Sequence, residues 1–166
     1  MQIARFLRHI FSGPWRVRQV FPRRSLKAIE AAIRESERTH LGEVRFVVEG
    51  ALEIAPLLAG LTARERAIEV FSQVRVWDTE YNTGVLIYLL LADRDVEIVA
   101  DRGIHAKVGK AGWEAVCHTM ETRFRHGEFE RGVIEGVSTI TALLRQHFPA
   151  QKTDNPNELS DAPLVL

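Results

Sequence analysis

The sequence predicts an α/β fold: a three-layer α/β/α sandwich around a small mixed sheet. Three observations predict it. Residues 84–91 (GVLIYLLL) are almost wholly apolar, as in a strand covered on both faces. Residues 44–48 (VRFVV) form a second run of β-branched and aromatic type. Stretches with helical periodicity flank both runs. At 166 residues, 46% hydrophobic and 27% charged, the chain suits one domain with a buried core.

Taken in order, Ile3, Phe6, Leu7, Ile10 and Phe11 fall at helical spacing. Gly13-Pro14 ends that helix. Trp15-Arg16-Val17-Arg18 then alternates aromatic or apolar residues with basic ones. Ser25 is placed to cap a helix over 26–39 whose stripe is Leu26, Ile29 and Ile33, and Gly42 stops it. After the strand 44–48, residues 50–61 form a connection. Thr62 and Glu65 make a capping box, so a helix starts near Ala63, with Ile68, Phe71 and Val74 inward, and ends near Trp77.

The loop 78–83 leads into the strand 84–91. Ala92-Asp93-Arg94-Asp95 reads as a tight turn of solvated charges. Val96 to Asp101 returns antiparallel. A turn centred on Asp93-Arg94 sets Asp101 opposite the region of Leu86. Two helices follow. One carries Trp113, Val116, Cys117, Met120 and Phe124. The other carries Val133, Val137, Ile140, Leu144 and Phe148. Gly132 and Gly136, four apart, permit a close neighbour. The chain divides into a basic amphipathic segment (1–24), an α/β domain (25–149) and a tail (150–166). The tail is polar and unpatterned and is expected to be disordered.

Net charge is zero, so global charge does not point to nucleic acid. Charge is nonetheless uneven. Six arginines and Lys27 precede Glu30 with no acid among them, which suits an anionic partner surface. Two readings fit the first helix. Arg5, Phe6, Arg8, Phe11, Trp15, Arg16 and Arg18 meet an anionic membrane or a membrane protein, or the helix docks on its own domain. No apolar run reaches the about 18 residues of a spanning helix, and the N-terminus lacks a signal-peptide pattern. The expected place is therefore the cytoplasm, peripheral to the inner membrane. The single cysteine, Cys117, reads as a buried, inert thiol.

No nucleophile elbow, P-loop, dinucleotide fingerprint or zinc-protease motif is present, and no organic cofactor is expected. None of the six histidines has metal-pair spacing. If the hairpin folds as read, Asp78, Asn82, Asp101 and Arg102 crowd one rim of the sheet. Asp78, Asn82 and Asp101 are the candidate ligands of a divalent cation, calcium or magnesium. Glu80, Thr83, Arg102 and His105 are candidate ligand contacts, with Arg102 or Arg75 suited to a phosphate or carboxylate. Loops ahead of strands are also commonly acidic and merely solvated.

Three stretches carry a resemblance: "GEVRFVVEG", "YNTGVLIYLLLADRDVEIVADRGI" and "WEAVCHTMETRFRHGEFERGVIEGVSTITALL". Across residues 25–148 the chain resembles the TPM domain family, in its short bacterial form. The resemblance implies an α/β/α sandwich with a rim site. It implies a divalent cation in some relatives and acid phosphatase activity in a plant member. Where relatives often read D-N-G, this chain has Asn82-Thr83-Gly84. Where they read G-Y-G-L-E, it has Asp101-Arg102-Gly103-Ile104-His105. The expected function is a non-catalytic module that binds an ion or partner at a membrane's cytoplasmic face. The alternative is a cation-dependent phosphomonoesterase, with Asp78 and Asp101 holding the metal.

Overall fold

The computed structural model describes residues 3–150 and 157–166. Its elements are α1 (Ile3–Ile10), α2 (Pro14–Val20), α3 (Arg23–Glu37), β1 (Glu43–Glu49), α4 (Ile54–Leu58), α5 (Ala63–Gln73), β2 (Gly84–Leu90), β3 (Asp95–Ala100), α6 (Arg102–Arg125), α7 (Phe129–His147) and β4 (Leu164–Val165). The four strands form one mixed sheet in the order β3-β2-β1-β4. β1 lies parallel to β2 and to β4, and β2 is antiparallel to β3.

Alternation along the strands explains the two cores. Val44, Phe46, Val48, Val85, Ile87 and Leu89 point to one face, where Phe21, Ile29, Ile33, Met120, Phe124, Ile140 and Leu144 from α3, α6, α7 and the end of α2 cover them. Val47, Leu86, Tyr88 and Leu90 point to the other, under Ala63, Ala67 and Val70 of α5 and Leu57 of α4. Every residue of β2 is buried, as expected of a strand covered twice. The chain is thus the expected α/β/α sandwich.

Several elements depart from the sequence reading, each for a physical reason. α3 starts at Arg23 behind Pro22, and Ser25 is buried inside it rather than capping it. α5 turns Ala63, Ala67 and Val70 inward, leaves Ile68 exposed and Phe71 and Val74 half-buried. Small residues let the helix sit close over Tyr88 and Leu86. The capping box itself forms: Glu65 N donates to Thr62 Oγ1 at 3.1 Å, and Thr62 N to Glu65 Oε2 at 2.9 Å.

α6 begins at Arg102, about ten residues before its apolar stripe, because Gly109 (φ 73°) breaks the helix and hides its periodicity. The hairpin turn centres on Ala92-Asp93 rather than Asp93-Arg94. Leu91 N and Ala92 N still bond to Glu49 O and Gly50 O, and Arg94 takes the left-handed conformation (φ 53°). Leu86 therefore faces Val99, and Asp101 N donates to Gly84 O at 2.8 Å.

The tail corrects another expectation. Residues 150–156 were expected to open a disordered segment, and 151–156 lie outside the described residues. Residues 157–166 instead return to the sheet, where Leu164 and Val165 pair with Val47 and Val48. Side chains hold them there. Glu43 Oε2 accepts Leu159 N (3.1 Å), Arg34 pairs with Asp161 (3.0 Å), and Arg45 donates to Ala162 O (2.8 Å) and to Ser160 O. Nor is the segment 1–24 a separate piece, since Val17 and Phe21 are each 1% exposed in the main core.

Candidate functional site

β1 and β2 start at one pole of the domain, where β3 ends, and finish at the other. The rim pole is built from the loop before β2 and the junction of β3 with α6. Asn82 adopts φ 53°, a conformation asparagine tolerates better than most residues. Its carbonyl then accepts Gly103 N (3.0 Å) and Ile104 N (3.3 Å). A Cβ on Gly103 would lie 2.6 Å from Asn82 O and 2.7 Å from Tyr81 O, so only glycine lets the two segments meet. Asp101 caps α6, with Oδ1 accepting Arg102 N at 2.7 Å. Arg102 Nε donates to Asn82 Oδ1 at 3.1 Å. Three of the expected rim residues, Asn82, Asp101 and Arg102, are therefore together.

The others go elsewhere. Asp78 is exposed and pairs with Arg75 at 3.0 Å, whose guanidinium also lies 5.7 Å from the Trp77 ring centre. Glu80 offers only its backbone N–H, to the Glu158 carboxylate at 2.9 Å. Thr83 is buried, and its hydroxyl donates to Leu41 O at 3.1 Å. His105 is exposed on α6 and lines a cleft of about 460 Å³ together with Arg64, Trp113 and Cys117. Burial pushes the Cys117 thiol up to about 12, in keeping with an inert role.

The rim's donors suit a cation poorly. Asp101 Oδ2 is buried without a hydrogen-bond donor and is free to receive one. Asn82 Oδ1 is already taken by a guanidinium. Among the described residues no three His, Cys, Asp or Glu side chains converge as a metal shell would require. Calcium takes six to eight oxygens.

The opposite pole was not anticipated. Asp93, expected in a solvated turn, is largely buried and receives three groups from α1. Arg5 Nε lies 2.9 Å from its Oδ2, His9 Nε2 3.1 Å from the same oxygen, and Arg8 Nη2 3.2 Å from Oδ1. Burial pushes its pKa up, but Arg5 and His9 outweigh that and hold it below the usual carboxylate range. Arg5 Nη2 also donates to Leu61 O at 3.1 Å, and His9 Nδ1 accepts Leu52 N at 3.0 Å. Since Nδ1 accepts, the neutral ring carries its proton on Nε2, which lies near the Asp93 carboxylate without a well-directed hydrogen bond.

α1 is consequently mounted with its polar side inward. His9 is buried, and Arg5 and Phe6 are half-buried. The apolar side faces out: Ile3 is 76% exposed, Leu7 46%, Ile10 48% and Phe11 68%, and Trp15 beyond it 62%. Of the residues expected on a partner surface, Phe11, Trp15, Arg8 and Arg18 are exposed, while Phe6 joins the core under α5. No sequence signal marks Asp93, 88 residues from Arg5, as the clasp. No helix among the described residues is long and apolar enough to cross a membrane.

Comparison with known proteins gives the fold a lineage. The TPM domain family matches residues 17–143. The NMR structure of BA42 protein from the psychrophilic bacterium Bizionia argentinensis is similar at 30% identity and TM-score 0.75, over 86% of this chain and 92% of that one. The NMR structure of an N-terminal domain of a protein from P. gingivalis shares the fold at 20% identity and TM-score 0.57, over 73% of this chain and 76% of that one. No curated protein matches the chain.

Proposed function

Because the chain belongs to the TPM domain family, we propose that it serves as a non-catalytic binding module of that fold, held peripherally on the anionic, cytoplasmic face of a membrane. The observation that carries this reading is the inverted mounting of α1. A helix that docks on its own domain buries its apolar stripe. Here the stripe is left to solvent while Asp93 and two backbone groups hold the polar side. Apolar residues beside basic ones are what a headgroup layer receives: rings and aliphatics at the acyl boundary, arginines on the phosphates. Arg8 and Arg18 are exposed next to this stripe, and no acid precedes Glu30.

The module is read as non-catalytic because the hydroxyls near the rim are engaged structurally. Thr83 donates to Leu41 O, and Thr79 Oγ1 accepts Thr83 N at 3.1 Å. The rim remains the proposed ligand face, with the orphan Asp101 Oδ2 and the Arg102 guanidinium as its contacts.

Co-sedimentation of the full chain with vesicles tests the membrane reading. Binding is expected to phosphatidylserine-containing vesicles, to weaken with salt, and to be lost in Phe11→Glu/Trp15→Glu. Both side chains are exposed, so the fold survives these changes. Deleting the segment is the wrong test, because Val17 and Phe21 belong to the core. Equal binding by wild type and the double variant, or none by wild type, defeats the reading.

A further inference from the structure

A second short helix stands beside α1. α4 buries Leu57 and exposes Ile54 and Leu58, one turn apart and each 56% exposed. The chain on both sides of α4 is bonded to α1, through Leu52 N to His9 Nδ1 and through Leu61 O to Arg5 Nη2. Just before it, Gly50 packs so tightly that a Cβ there would lie 3.2 Å from Ser12 O and Gly13 O. α1 and α4 therefore share the pole at which β1 and β2 finish. Two large aliphatics on a five-residue helix are thus exposed at the same pole as the apolar stripe of α1, and exposed apolar residues gathered in one place mark an interaction site.

We infer that α4 is a second lipid contact, so that Ile54 and Leu58 enter the acyl boundary together with Phe11 and Trp15, and the domain stands on the membrane with its rim turned to water. The inference rests on the membrane reading above and extends it. Charge complementarity selects an anionic bilayer as occupant. Arg8 on α1, Arg18 on α2 and Arg94 in the β2–β3 turn are exposed, and Asp93 is paired by its clasp. In the cleft beside α4, Glu49 and Glu69 pair with Arg66, and Glu65 is taken up by the Thr62 cap. Glu53, exposed next to Ile54, keeps the contact shallow.

Two contacts fix an orientation that one helix leaves free to roll. β2 runs seven residues from the rim to this pole, roughly 20 Å at about 3.3 Å per residue. Asn82, Asp101 and Arg102 then face away from the bilayer. Whatever the rim binds arrives from the aqueous side, as a soluble molecule or protein rather than a headgroup of the same leaflet.

Quenching by bromine-labelled acyl chains tests this on phosphatidylcholine–phosphatidylserine vesicles. Trp113, 4% exposed, gives a constant background. One variant keeps Trp15 (Trp77→Phe) and a second keeps Trp77 (Trp15→Phe). A third carries Leu58→Trp with both of those tryptophans replaced by phenylalanine. Quenching is expected for the first and third and not for the second. In parallel, Ile54→Glu/Leu58→Glu is expected to weaken vesicle binding at least about tenfold. Quenching at position 15 but not at 58, or at position 77, overturns this inference and leaves the membrane reading standing. No quenching at position 15 sinks both. Self-association in solution that Leu58→Glu abolishes, without quenching by lipid, assigns the surface to a second copy and also overturns it.

Discussion

Replacing Asp93 with alanine should release α1 while leaving the sandwich folded. The carboxylate is 11% exposed and meets Arg5, 24% exposed, Arg8, 54% exposed, and buried His9. A hydrogen bond to a charged partner in such a setting contributes about 1.5–3 kcal/mol. The more exposed Arg8 adds under about 1 kcal/mol. His9 Nε2 lies 3.1 Å from the carboxylate without a well-directed hydrogen bond and adds little. The losses share one site and do not add fully, so about 3 kcal/mol is a fair total. They fall on α1 alone, because Val17 and Phe21 keep α2 in the core. An eight-residue helix does not persist on its own, and the contacts left to it, Arg5 with Leu61 O, His9 with Leu52 N and the packing of Phe6, hold it less tightly. Hydrogen exchange should therefore show the amides of Ile3–Ile10 losing protection by roughly a hundredfold, with β1 and β2 unchanged. Wild-type protection across α1, or a loss spread evenly through the sheet, would refute the clasp.

Other consequences can be checked separately. A Cβ on Gly84 would lie 2.0 Å from Val76 O, a backbone atom, so Gly84→Ala should destabilise the fold by about 2 kcal/mol or more in urea; a neutral effect would contradict that approach. Burial raises Glu37 to about 9 and Glu43 to about 7. Raised carboxyl pKa values stabilise fully below the unfolded value near 4.5 and lose that stabilisation as pH rises through the folded ones. Docking of residues 157–166 should thus loosen between about pH 5 and 9, read by proteolysis of the tail, and Glu43→Gln should flatten the slope below about pH 7. Burial lowers His40 from 6.5 to about 4, so its contribution runs the other way: present above pH 6.5 and lost as pH falls toward 4, visible in the urea midpoint. Calcium followed by amide NMR should move the loop 78–83 and residues 101–105 only weakly, with a dissociation constant above about 1 mM; saturation at micromolar calcium would show that more oxygens gather there than Asp101 supplies.

What the sequence revealed and what it hid follow one physical divide. Local rules were legible. The apolar run 84–90 is a central strand, Thr62 and Glu65 form their capping box, and Gly132 and Gly136 admit the side chains of Phe124 and Met120. The meeting of Asn82 with Asp101 and Arg102 followed from the hairpin, although the turn lay one residue earlier than read. Contacts decided by distant partners were not legible. β4 is two residues long and is held by Glu43 and Arg45, over a hundred positions away. α1 has the stripe of a core-facing helix, and only Asp93, Leu52 and Leu61 turn that stripe outward. The periodicity of α5 favoured its large residues, whereas the close approach to Tyr88 selected its alanines.

The central claim is that α1 presents its apolar side to an anionic bilayer. The most direct measurement is amide NMR of the full chain on phosphatidylserine-containing nanodiscs whose lipids carry a spin label. Signals from Ile3 to Trp15 should be broadened, while those of the loop 78–83 and of residues 101–105 should keep their intensity. Undiminished signals along α1, or broadening centred on the rim, would contradict the account.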